Sequence, residues 1–150
     1  MRLLKALGLD NAGFTVIELT VVIAIFVVLL SLAFFINIDF YKSRTLLSER
    51  DTLVSILRRA RTLSLANVNE TSHGVFINDD YIVFQGPSYA ARNSAWDEIY
   101  PKSSAISVSG VQEIVFDSLT ADTAASGTIA LSYDQHFADI SVNQVGRVSK

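Results

Sequence analysis

A single carboxylate, Glu18, stands at the mouth of the most apolar stretch of the chain. From Leu19 to Ile38 run 20 residues without charge, Pro or Gly, in which only Thr20, Ser31 and Asn37 are polar. Two chemistries fit a Glu at that place. In the first, Thr15-x-x-Glu18 ahead of an apolar run is a capping box, the hydroxyl and the carboxylate satisfying the first free backbone amides of a helix. In the second, the chain is cut between Gly13 and Phe14, and the new cationic amine, four residues before Glu18, pairs with the carboxylate of a neighbouring copy. An acid carried toward the centre of a membrane helix costs about 2.5–3.5 kcal/mol, and less near the interface. Either way Glu18 needs a partner, and the spacing alone leaves both open.

No other constellation of reactive residues emerges. There is no Cys, which excludes disulfides, thiolate metal sites and Cys catalysis. The sequence has no phosphate-cradling Gly-rich loop, no His-Glu-x-x-His, no Gly-x-Ser-x-Gly and no Ca²⁺ loop. His73 and His136 are the only histidines; one closes a helix and the other sits in a Tyr-Asp-Gln-His turn. Asp79 and Asp80 are adjacent, so in an extended turn they point apart and make a poor metal pair. The expectation is a chain with no catalytic residues, no metal, no cofactor and no small-molecule substrate.

Charge argues against a polyanion partner. The chain is acidic at −3, and loss of residues 1–13 would remove Arg2, Lys5 and Asp10 to leave −4; such a chain binds nucleic acid only through a local basic patch. Arg58, Arg59 and Arg61 form the one basic cluster and read as a solvated helix face. Arg50 and Arg61 lie near the apolar edge of that helix, where carboxylates of the rest of the domain could pair with them. Arg147 and Lys150 read as a solvated tail.

The elements that position Glu18 follow from periodicity. Twenty apolar residues make one bilayer crossing as a helix. Arg2 and Lys5 on its short side favour a cytoplasmic N-terminus with residues 39–150 outside, a tendency that Lys42 and Arg44 weaken. No Pro or Gly occurs between Phe14 and His73, and beyond the apolar run a helical period continues. Leu46, Leu53, Val54, Leu57, Ala60, Ser64 and Val68 share one face, with Ser48, Asp51, Ser55, Arg59 and Thr62 opposite. A helix unbroken from Phe14 to Asn67 would be on the order of 80 Å long. Asn67 to Gly74 ends it with turn-forming residues.

The period then changes to that of strands. Val75 and Ile77, the turn Asn78-Asp79-Asp80, and Tyr81 to Phe84 read as a hairpin. Further strands are expected at Ala105–Ser109, Glu113–Asp117, Thr128–Tyr133 and Ala138–Asn143, six in all, forming an antiparallel sheet or small sandwich against the helix. Gly86–Ser104 fits neither period; its aromatics form either a contact surface or a lid on the core, the lid being favoured. Ser118–Gly127 reads as a mobile tip.

Gly13-Phe14-Thr15-Val16-Ile17-Glu18-Leu19-Thr20, after a short leader with basic residues, resembles the N-terminus of type IV prepilins and type II secretion pseudopilins. The resemblance implies that prepilin peptidase cuts after Gly13 on the cytoplasmic side and N-methylates Phe14, and that Glu18, fifth after the cut, guides docking into a filament. It implies as partners other pilin or pseudopilin subunits and an inner-membrane assembly platform. Ile114-Val115-Phe116, Gly127 to Leu131, Ile140-Ser141-Val142 and Gly146-Arg147-Val148 resemble, more weakly, the H-type minor pseudopilins and FimT-like minor pilins.

The reading is therefore an α+β pilin-like lollipop with four segments. Residues 1–13 are a leader, 14–38 a transmembrane and filament-core helix, 39–73 its amphipathic continuation and turn, and 74–150 a β-rich head. Its expected role is a structural, non-enzymatic subunit of the bacterial inner membrane that enters an extracytoplasmic fibre for secretion or DNA uptake. Two alternatives stand beside it. One is a single-pass anchored binding module or adhesin, uncut, with Glu18 only a cap. The other is a secreted domain released after the small-x-small triplet Ser31-Leu32-Ala33.

Overall fold

The computed structural model describes residues 13–150, excepting the side chains of residues 33–38. One α-helix, α1, runs over Val16–Leu65, as the absence of Gly and Pro predicts. The chain divides into two units, Met1–Asp39 and Phe40–Lys150. In the second unit the expected face of α1 is the covered one: Leu46, Leu53, Val54, Leu57, Ala60 and Ser64 are all buried, and Ile56 joins them. Val68 does not, because the α-helix has ended by then. Asn67, Asn69 and Glu70 all take left-handed backbone angles, a conformation Asn tolerates better than most residues, and Val68 lies in a short 3-10 turn with its side chain exposed.

Eight strands follow in place of the expected six. β1 (His73–Ile77), β2 (Asp80–Gln85), β3 (Glu98–Pro101) and β5 (Glu113–Phe116) build one antiparallel sheet in the order β3-β2-β1-β5. β4 (Ser107–Gly110), β6 (Gly127–Tyr133), β7 (His136–Val142) and β8 (Val148–Ser149) build a second, in the order β4-β6-β7-β8. Alternation sends Val75, Ile77, Tyr81, Val83, Ile114 and Phe116 from the first sheet into the same core as Ile129, Leu131, Ile140 and Val142 from the second, with α1 supplying the rest. Each fully buried Leu, Ile or Phe contributes about 1.5–3 kcal/mol relative to exposure, so the amphipathic half of α1 is held chiefly by this core.

Ser64 fastens α1 to the first sheet. Its hydroxyl accepts the His73 N–H at 2.9 Å and donates to the Phe116 carbonyl at 2.9 Å, while its own carbonyl accepts the Leu119 N–H at 2.9 Å. The two bonds of the hydroxyl are buried, so Ser64→Ala strands a backbone donor and a backbone acceptor without water. The expected cost is about 1–3 kcal/mol, read as a lower urea midpoint at unchanged slope.

Ion pairs add lesser fastenings along the same helix. Arg59 grips Glu98 of β3 through two hydrogen bonds of 2.6 and 2.7 Å, Lys42 meets Asp134 at 2.7 Å, and Lys150 meets Asp51 at 3.0 Å. Arg59 is thus paired where a solvated face was expected, and Lys150 is no free tail. Each is solvent-exposed enough to contribute only about 0–1 kcal/mol. Arg50 bonds its neighbour Asp51, and the Nε of Arg61 is buried with no hydrogen-bond partner.

Two loops differ from expectation. Gly86–Ser104 is not irregular throughout: it holds a 3-10 turn at Ser94–Trp96 and the edge strand β3. Its Tyr89 folds back as a lid, stacking on Phe76 at 3.9 Å between ring centroids and meeting Phe84 edge-on at 5.7 Å. Arg92 clamps that ring from outside at 3.6 Å and pairs with Asp97 at 2.8 Å. The segment Ser118–Gly127 is no mobile tip. Ala121 and Thr123 are buried, the Asp117 N–H donates to the Asp122 carbonyl and the Thr123 N–H to the Gln144 carbonyl, both at 2.8 Å.

Candidate processing and docking site

The site is built where α1 begins. Gly13, Phe14 and Thr15 precede the helix in exposed, non-helical backbone, and Thr15 fixes the start of the helix by capping it. The Glu18 N–H donates to Thr15 Oγ1 at 3.3 Å, the Thr15 N–H donates to Glu18 Oε2 at 3.0 Å, and the Thr15 hydroxyl donates to the same oxygen at 3.0 Å. That is a closed capping box. The Leu19 N–H donates to the Thr15 carbonyl at 3.2 Å, the first helical bond.

Phe14, just before the cap, and Leu19, at the fourth helical position, border the same apolar surface hollow, but both stay exposed, so the capping box and not a packed apolar pair fixes where the helix begins.

The Gly13–Phe14 bond itself is open. A Cβ built on Gly13 meets no atom of the described residues within 4 Å, and Phe14 is 90% exposed. Behind it, the described residues of the apolar run present their side chains outward all round, from Val16 and Ile17 to Leu32. The two hydroxyls within that stretch are satisfied by the helix's own backbone: Thr20 donates to the Ile17 carbonyl at 2.9 Å and Ser31 to the Val28 carbonyl at 2.7 Å. A helix whose polar groups are all internally paired can sit in an apolar surround. Among the described residues no helix is long and apolar enough to cross a membrane. The last six residues of the run, 33–38, have their side chains outside that description, as does the leader up to residue 12 with Arg2, Lys5 and Asp10.

The structure thus brings Thr15 and Glu18 together, leaves Gly13 and Phe14 exposed beside them, and among the described residues gathers no further reactive group at this end. Elsewhere His73 is buried in β1, not in a helix-closing turn, and His136 begins β7. Among the described residues no three of His, Asp and Glu come together as metal ligands would.

Comparison with known proteins bears on this same end of the chain. No curated protein and no solved structure matches the chain significantly. Residues 9–34 match the family model described as the prokaryotic N-terminal methylation motif. The match spans the Gly13–Phe14 bond, the capping box and most of the apolar run, and it supports the type IV prepilin and pseudopilin family in the broad sense.

Proposed function

We propose that this chain is a structural subunit of a type IV pilus-like or type II secretion pseudopilus fibre, of the minor H-type or FimT-like kind. The observation that carries this reading is the methylation-motif match laid over an exposed Gly13–Phe14 bond and a capped apolar helix. Prepilin peptidase removes residues 1–13 on the cytoplasmic side of the inner membrane and methylates the Phe14 amine, which keeps its positive charge. Residues 14–38 hold the subunit in the membrane until they dock laterally among the helices of a growing fibre, with 39–73 and the head 74–150 outside. The subunit performs no catalysis.

Glu18 has two successive roles on this reading. In the single chain it caps its own helix through Thr15. In the fibre, where water is excluded, it neutralises the amine of a neighbouring copy. The two roles are separable, because glutamine at the same place can keep a capping box but carries no charge. Both Glu18→Ala and Glu18→Gln should insert in the membrane normally. Both should lose incorporation into sheared fibres by about a hundredfold or more, since breaking one partner of a buried pair costs about 3–5 kcal/mol. Normal incorporation of Glu18→Gln would reduce Glu18 to a cap and favour the anchored, unassembled module.

A further inference from the structure

We propose that the junction of α1 with the first sheet is an acid-sensitive latch, closed while the imidazole of His73 is neutral and opened when it takes up a proton. His73 is 4% exposed, and its Nδ1 has no hydrogen-bond partner. A neutral ring can leave one nitrogen unprotonated, whereas the imidazolium carries N–H donors on both nitrogens. Protonation would therefore create a buried, unsatisfied, charged donor, which is costly in the core.

The position of His73 makes that cost structural. Its own backbone N–H bonds the Ser64 hydroxyl, and Ser64 also holds Phe116 on β5 and Leu119 beyond it. Lifting His73 out to water therefore releases β1 from α1 and loosens the grip on β5 and on 117–121 together. Release is also local, since the turn 66–72 just before it has three residues with left-handed backbone and no buried side chain in its 3-10 segment.

The charges around the ring do not rescue the imidazolium. Glu98 on β3 faces it, but that carboxylate is committed to Arg59 of α1 through two hydrogen bonds, which hold it below the usual carboxylate range. The register neighbours Gln85 on β2 and Phe116 on β5 are uncharged, as is Ser64. Burial accordingly holds His73 below its ordinary value of 6.5, with the Thr71 carbonyl and Glu98 pulling weakly the other way. A base whose folded value is depressed binds its proton better in the open state, so the closed form is fully favoured above about 6.5 and loses ground as pH falls through the folded value. The carboxylates with lowered values, Asp51, Glu98 and Asp134, act in a separate and more acidic window, below their ordinary 3.8–4.5.

Amide hydrogen exchange on the full chain in detergent, corrected for intrinsic rates, tests the latch. The opening constant at the His73 and Leu119 amides should rise by up to about tenfold per pH unit on going from pH 6.5 to 5.5, and His136→Gln should keep that rise while His73→Phe removes it. Should His73→Phe fail to fold, the His73 ring proton in the wild-type chain gives the answer, titrating below about 6.5. Opening that does not change with pH, a rise that survives in His73→Phe, or a ring that titrates at or above its ordinary value would overturn the proposal.

Discussion

A Gly13→Val chain should reach the membrane, fold as the wild type does, and remain uncut. Among the described residues no atom lies within 4 Å of a Cβ placed on Gly13, and the residue is exposed and outside α1, so an added side chain disturbs none of them. Exposed substitutions of that kind stay within about 0.5 kcal/mol of neutral. On the proposed processing, any large effect then belongs to recognition by the peptidase, to which Val presents a branched side chain where Gly presents none. Cleavage slowed by about a hundredfold or more, a barrier higher by about 2.7 kcal/mol, is the expected result on a gel that resolves the loss of residues 1–13. Prompt cleavage of Gly13→Val would mean that the small residue before Phe14 plays no part in processing.

Gly146→Val should cost the head about 3 kcal/mol. Gly146 is buried with φ +67°, a backbone conformation that costs an L residue roughly 1–2 kcal/mol. A Cβ there would also overlap the carbonyl oxygen of Ala121 and approach Phe116 Cδ1 at 3.1 Å. Neither obstacle yields easily, because Ala121 is held by its own N–H to the Asp117 carbonyl, and Gly146 by its N–H to the Asn143 carbonyl, in the turn that leads to β8. Gly127→Ala is the milder comparison: its backbone has no positive φ, and its Cβ crowds the Cγ2 methyl of Val111 and no backbone atom. Urea unfolding of the two variants should separate them by about 2 kcal/mol or more, and equal midpoints would show that the packing of 117–125 against 143–146 is wrong.

How far the sequence could be read depends on the range of the force at each place. Periodicity is local, so α1, its covered face from Leu46 to Ser64 and the hairpin around Asn78-Asp79 were all legible. β3 was hidden because Glu98-Ile99-Tyr100-Pro101 is short, ends in Pro and lies at a sheet edge, where the pairing is supplied by β2 and not by any pattern of its own. β8 has two residues and no pattern to read. The segment 118–127 looked like a tip because it is small and polar, yet small side chains are what permit Ala121 and Thr123 to pack tightly. The Arg59–Glu98 pair joins residues 39 apart, and nothing in either neighbourhood announces the other.

At the candidate site the balance is different. Thr15-x-x-Glu18 is a local device, and the structure closes it as the spacing allows. The pairing of Glu18 with a neighbour's amine needs a second chain and a cut bond, so it belongs to the proposal.

The most direct test of that proposal is the intact mass and N-terminal peptide of the protein extracted from the membranes of its native host. The expected result is a chain that begins at Phe14 and carries one methyl group on its amine. A chain that still begins at Met1, or one that begins at Phe34, would contradict it, since no cationic amine would then stand four residues before Glu18.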